Sequence, residues 1–282
     1  MTSTRERQRA AAKARLEREM AERAAKARKR RQTQAAIGAG AALLLVIVGT
    51  VWLVVALGDD ETPTGAQPTP SAGAGICVWT ELPKEARTKT TKDVGLPPTG
   101  TEPRSGTQTM TLTTNLGVIT AKLDLTKVPC TASSFTHLAS KKFFDNSKCH
   151  RLVTEGLKVL QCGDPSATGK GYRETDGTGG PTYRFAEENL PTGRRPTYPE
   201  GVIAMAKTQE PNSTGSQFFI VYADTELDPS YTILGKVETG LDIVKQVGAA
   251  GHDNAFGQQA GGGHPKKEVI IKSLRMSEVA SS

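Results

Sequence analysis

An unbroken run of 23 residues without a charge, Ala35 to Leu57, limits this chain more than any other feature. As an α-helix rising 1.5 Å per residue it would span roughly 35 Å, enough to cross a bilayer core of about 30 Å. A buried core helix seldom runs this long without a polar face. A cleaved signal peptide would carry an apolar stretch of about 7–15 residues nearer the terminus, whereas this run follows 34 residues of polar chain. The run predicts one uncleaved transmembrane helix over 35–57. KARKRR stands close before it and Asp59, Asp60 and Glu61 follow it. Cations stay on the cytoplasmic side, so the flanks predict a single-pass protein of the cell membrane, N-terminus cytoplasmic and the rest extracytoplasmic.

The flanking segments differ in kind. Residues 1–34 hold twelve Lys/Arg and four Glu, a net +8 in a chain whose total is +7, so everything beyond them carries −1. The basic character therefore belongs to a cytoplasmic arm rich in helix formers, with anionic headgroups as its alternative partner to water. A near-neutral body argues against a nucleic-acid partner. Residues 58–106 contain seven of the sixteen prolines among many Thr, Gly and Ala, the composition of a tether. Cys77, Val78 and Trp79 interrupt that pattern and are expected to dock on the folded domain, a disulfide being one means.

From 107 to 278 the chain changes to short apolar runs punctuated by Gly and Pro. MTLTTNLGVITAKLDL alternates about Asn115-Leu116-Gly117, the pattern of a hairpin. Pro129 suits the first turn of a helix whose Phe135, Leu138 and Ala139 share one face. HRLVT, LKVLQCG, GVIAMAK, SQFFIVY, TILGKV and EVIIKSLRM read as strands, and LDIVKQVGA after Gly240 as a second helix. Helices are missing between most strands, which excludes a parallel α/β sheet. The expectation is a mainly β domain, a closed eight-stranded antiparallel barrel capped by two helices.

Most familiar chemistries lack their residues. His137, His150, His252 and His264 show no metal-ligand spacing, so neither metal nor other cofactor is expected. There is no nucleophile elbow and no phosphate-binding loop; GTGG at 177–180 reads as a turn. A Cys149 nucleophile beside His150 is disfavoured, because adjacent strand residues face opposite ways and a translocated Cys is usually oxidised. What remains is a polar set on strands, Arg151, Gln161, Lys207 and Gln217, beside apolar Val159, Met205, Phe219, Leu227 and Tyr231.

FFDNSKCHRL, VLQCGD, GTGGPTYRFAEEN, GVIAMAK, NSTGSQFFIVY and ILGKVETGLDIV, in this order through most of 108–276, resemble the cyclophilins, the cyclosporin-binding peptidyl-prolyl isomerases. The layout with an anchor and linker is similar to that of membrane-anchored actinobacterial members. The resemblance implies a β-barrel that isomerises X–Pro bonds of extracytoplasmic polypeptides during folding. It gives Arg151 the catalytic role and Gln161 the substrate backbone, with Met205, Phe219, Leu227 and Val159 around the proline ring. Lys207, Gln217 and Tyr231 complete the groove, and His150 is structural. Lys158, Lys207 and Glu226 depart from the family pattern and imply weaker cyclosporin binding. They keep open an alternative, a low-turnover proline-binding or chaperone module at the membrane.

All four cysteines, Cys77, Cys130, Cys149 and Cys162, follow the anchor, so at least one disulfide is expected. If Arg151 and Gln161 both face the groove, strand alternation places Cys149 and Cys162 on opposite sides, which disfavours that pair.

Overall fold

A computed structural model describes residues 76–193, 195–257 and 261–281. The basic arm, the expected transmembrane helix 35–57 and the tether up to residue 75 lie outside the described residues. Among the described residues no helix is long and apolar enough to cross a membrane.

Among the described residues thirteen strands, two α-helices and a 3-10 turn follow in chain order. Strands β1 (Thr80–Glu81) and β2 (Thr91–Lys92) flank the 3-10 turn Lys84–Ala86. The hairpin β3 (Thr107–Thr114) and β4 (Gly117–Asp124) leads to helix α1 (Pro129–Ser140). Then come β5 (Ser147–Lys148), β6 (Arg151–Val153), β7 (Val159–Cys162), β8 (Gly180–Pro181) and β9 (Tyr183–Arg184). Strands β10 (Val202–Met205), β11 (Phe218–Val221) and β12 (Ile233–Thr239) precede helix α2 (Leu241–Ala250) and β13 (Ile270–Met276).

Nine strands form one curled sheet in the order β5-β13-β3-β4-β12-β10-β11-β7-β6, every pairing antiparallel. This corrects the expected closed eight-stranded barrel. The edge strands β5 and β6 have no ladder between them and are separated in the chain only by Cys149 and His150. Cys149 N–H donates to Val269 O beside β13 and His150 N–H to Gln161 O of β7, so the chain leaves the β13 edge and joins the β7 edge at this corner. The mainly β class with two helices stands.

Period-2 alternation fills the interior. Met110 and Leu112 of β3, Ile119, Ala121 and Leu123 of β4, and Phe218 and Ile220 of β11 all point inward and are fully buried. Phe135 of α1 stacks on Phe144 with centroids 5.4 Å apart and meets Phe218 edge-on at 5.8 Å. Each such side chain removed from water contributes about 1.5–3 kcal/mol, enough to seat α1 across the sheet. Pro129 costs α1 no hydrogen bond, because an N–H in the first turn has no intrahelical acceptor and the one that Pro lacks is not needed. Val128 cannot cap that end. Glu188, distant in sequence, does so instead by accepting from Thr131 N and Oγ1 at 2.6 and 2.7 Å.

Residues 76–106, which composition assigns to a tether, lie on the domain. Cys77 is bonded to Cys130 of α1, Trp79 packs edge-on against Tyr183 and Phe185, and β1 and β2 pair with β9 and β8. Composition averages over the stretch, whereas docking needs only the few residues that meet a surface.

The second disulfide, Cys149–Cys162, is the pair that strand alternation disfavours. Alternation holds only along an uninterrupted strand. Cys149 belongs to the corner, its N–H donating to Val269 O of the opposite edge while His150 N–H already donates to Gln161 O. The backbone turns between the two, so Cys149 faces the core with Cys162 although Arg151, two residues on, faces out.

Candidate active site

The site lies on the outer face of β6, β7, β10 and β11, and register builds it. Arg151 pairs with Gln161 across β6 and β7, and Gln161 pairs with Phe219 across β7 and β11. Three chemically different side chains thus stand in one row.

The polar half is a hydrogen-bonded relay. Arg151 Nε donates to Gly261 O at 3.2 Å and Nη1 to Gln161 Oε1 at 3.3 Å. Gln161 Nε2 donates to Gln217 Oε1 at 2.9 Å, and Gln217 Nε2 donates to the carbonyls of Gly177 and Gly179 at 2.8 and 2.9 Å. Each amide in the relay is oriented by the next, so the guanidinium is held before any ligand arrives. Burial lowers the pKa of Arg151 from its ordinary value, with nearby Tyr231 offsetting part of that effect. An arginine stays cationic through such a shift.

His150 lies beneath the relay. It is 2 % exposed, and its Nδ1 has no hydrogen-bond partner among the described residues. Burial, partly opposed by Asp164 and Asp176, lowers its pKa to about 4, so the ring is neutral at pH 7. Its packing leaves no room at Gly177, where a Cβ would come within 2.9 Å of the imidazole. The reading of His150 as a structural residue fits this position.

The apolar half is a second cluster, separate from the main core. Val153, Val159, Tyr198, Val202, Ala204, Phe219 and Val221 form it, with Leu227 and Tyr231 packed at its margin. Phe219 and Tyr231 meet edge-on at 5.8 Å. Tyr198 braces the margin from below: its hydroxyl donates to Tyr231 O and accepts from Tyr231 N–H, both at 3.0 Å.

The structure brings Arg151, Gln161, Gln217, Val159, Phe219, Leu227 and Tyr231 onto this one face. Met205 is different. It is fully buried in the main core, and its neighbour Ala206 is the residue that borders the groove. Alternation along β10 decides this, because Ala204 belongs to the outer cluster and the next residue must turn inward. Lys207 lies farther along beside a cavity of about 160 Å³ that Gln161, Gly179, Arg184 and Gln217 also line. Its Nζ is 4.0 Å from Glu187. Of the departing residues, Lys158 folds its Nζ back onto Thr154 O, and Glu226 accepts from Thr197 Oγ1 at 2.7 Å. Among the described residues no cluster of three His, Cys, Asp or Glu could hold a metal.

Reading the sequence missed the backbone groups that fix the relay, the carbonyls of Gly177, Gly179 and Gly261, and the brace Tyr198. The glycines were visible as GTGG and GGG, but a carbonyl carries no sequence signature.

The curled antiparallel sheet thus presents a held guanidinium beside an apolar plate on one outer face. The family model for cyclophilin type peptidyl-prolyl cis-trans isomerase/CLD matches residues 109–276, and the chain belongs to this family. A Mycobacterium leprae protein named probable peptidyl-prolyl cis-trans isomerase B is 40% identical over 200 residues, covering 67% of this chain and 63% of its own length. Its Mycobacterium tuberculosis namesake is 39% identical over 221 residues, covering 73% and 65%. The chain therefore spans just under two thirds of these relatives. A crystal structure of a Cryptosporidium parvum cyclophilin type peptidyl-prolyl cis-trans isomerase aligns with 62% of this chain and 99% of its own, at 25% identity and a TM-score of 0.48.

Proposed function

We propose that this chain is a peptidyl-prolyl cis-trans isomerase acting on proline-containing polypeptides. The observation that carries this reading is the guanidinium of Arg151, held by Gly261 and Gln161 at the lip of the Val159, Phe219, Leu227 and Tyr231 plate. Rotation about an X–Pro bond is opposed by a barrier of roughly 18–20 kcal/mol, because the nitrogen lone pair is delocalised into the carbonyl. Without help, exchange takes tens to hundreds of seconds. The plate takes the pyrrolidine ring and fixes it, while Arg151 donates to the prolyl nitrogen. That bond strengthens as the nitrogen pyramidalises and its lone pair localises, so it stabilises the twisted transition state more than either isomer. Gln161 orients Arg151 and offers its amide to the substrate backbone. No proton is transferred and no covalent intermediate forms. Magnetisation exchange between the isomers of a short X–Pro peptide tests this: the wild type accelerates it and Arg151→Ala does not. A wild-type protein that binds the peptide without accelerating exchange would mark a proline-recognising module instead.

The cellular setting belongs to the same proposal. The uncharged run 35–57, with cations before it and acids after it, is read as a membrane anchor with the domain outside the cytoplasm, assisting the folding of translocated proteins. Two disulfides and no free cysteine among the described residues suit an oxidising compartment. Protease added to spheroplasts should digest the domain and spare the arm; a domain protected until the membrane is permeabilised overturns the orientation. Cyclosporin is expected to bind more weakly than to family members with apolar residues in place of Lys158 and Glu226.

A further inference from the structure

The ribbon 177–185 forms one wall of the site, yet it belongs to no part of the curled sheet. Its two short strands have other partners: among the described residues β8 pairs with β2 and β9 with β1. Those partners come from residues 77–93, a strap that runs along the back of the ribbon. Trp79 packs on Tyr183 and Phe185, with centroids 5.7 and 5.4 Å away. Thr178 Oγ1 donates to Thr90 Oγ1 at 3.1 Å, and Thr182 Oγ1 donates to Asp93 Oδ1 at 3.1 Å. Gly179 is enclosed from two sides: an added Cβ would come within 2.8 Å of the Thr90 carbonyl oxygen of the strap and would meet the Asp164 carboxylate closer still. The strap is locked at its start by the Cys77–Cys130 bond to helix α1.

The other side of the same ribbon carries the carbonyls of Gly177 and Gly179, which hold Gln217, and through it Gln161 and Arg151. We infer that the strap 77–93 is a positioning element of the active site: by backing the ribbon it sets where the relay places the Arg151 guanidinium. The inference rests on the isomerase reading for its kinetic consequence and on geometry alone for its structural one. Asp164 gives the ribbon a second hold, accepting from Gly177 N and Gly179 N at 2.6 and 3.1 Å. Loss of the strap contacts should therefore loosen the relay rather than dismantle it. The apolar plate takes no part in the ribbon, so substrate contact should persist while the transition-state donor drifts.

The test uses the full-length chain carrying Cys77→Ser, Cys130→Ser and Trp79→Ala together. Arg275→Ala, which breaks the Arg275–Asp145 pair away from the relay, serves as a control for general destabilisation. Measured well below the melting temperature, kcat should fall by about tenfold with KM within about twofold, as expected when a donor is displaced rather than lost. Trp79→Phe alone should keep wild-type kcat, because a second ring can still meet Tyr183 and Phe185. Side-chain amide signals of Gln161 and Gln217, followed by NMR, should shift and broaden in the triple variant only. A lower melting temperature with unchanged kcat would make the strap merely structural. Unchanged Gln217 signals overturn the inference even if the wild type proves inactive, an outcome that would count separately against the isomerase reading.

Discussion

The two halves of the site are built on opposite principles. Val159, Phe219, Leu227 and Tyr231 sit on contiguous strands and a neighbouring loop, and their side chains meet through packing, with the Tyr231 backbone braced by the Tyr198 hydroxyl. Arg151 depends on a chain of directed bonds that passes through Gln161 and Gln217 and ends on the carbonyls of Gly177 and Gly179. Packing is non-directional and tolerates small shifts, whereas a hydrogen bond weakens steeply when its angle fails. The apolar half should therefore govern how tightly the chain holds a substrate, and the polar half how fast it acts.

The sharpest break of that comparison is Arg151→Ala. Losing one preorganised donor should lower kcat by about 10²–10³, some 2.7–4 kcal/mol, while peptide affinity changes little. Arg151→Lys should rescue poorly, because a flexible point charge cannot reach Gly261 and Gln161 while also serving the prolyl nitrogen. A kcat untouched by the alanine change, in an active enzyme, would sink the division of labour.

Acid should weaken the polar half first, because neutral His150 lies under it. Its pKa is about 4 in the fold against an ordinary value of 6.5, so between these limits the unfolded chain binds the extra proton. Stability should be fully present above pH 6.5 and decline by about 3 kcal/mol as pH falls to 4. Urea unfolding at pH 7, 5.5 and 4 checks this against His150→Gln, whose acid loss should be smaller. Equal pH dependence in both proteins would remove His150 as the cause.

Phe219→Ala tests the other half. Truncating the ring should raise KM by at least about tenfold and leave kcat at saturating substrate closer to wild type. The opposite split, a lowered kcat at constant KM, would mean that the plate and the relay are not separate. The smallest effect belongs to Lys207→Ala, which removes an ion pair with Glu187 at 4.0 Å and should change kcat/KM by about twofold or less. A loss as large as that of Phe219→Ala would give Lys207 a direct part in holding substrate.

Much of this was legible beforehand. Alternation in β3 and β4, Pro129 at the start of α1, and the motifs around Arg151, Gln161 and Phe219 name their elements from the residues alone, because strand period, proline stereochemistry and motif spacing are local properties. Local rules misplaced Met205, since the groove face of β10 is set by which residue the core claims. They missed Cys149–Cys162, because alternation does not survive the corner at Cys149-His150.

What the sequence alone determined, then, is the chemistry available: one guanidinium, two amides and an apolar set on neighbouring strands, behind a long uncharged run. Only the tertiary structure decided how they act. Curling of the sheet, the bond from Cys77 to Cys130 and the backing of the ribbon 177–185 all join residues distant along the chain. The carbonyls that orient Gln217 are present in every residue, and they gain a role only where the fold aims them.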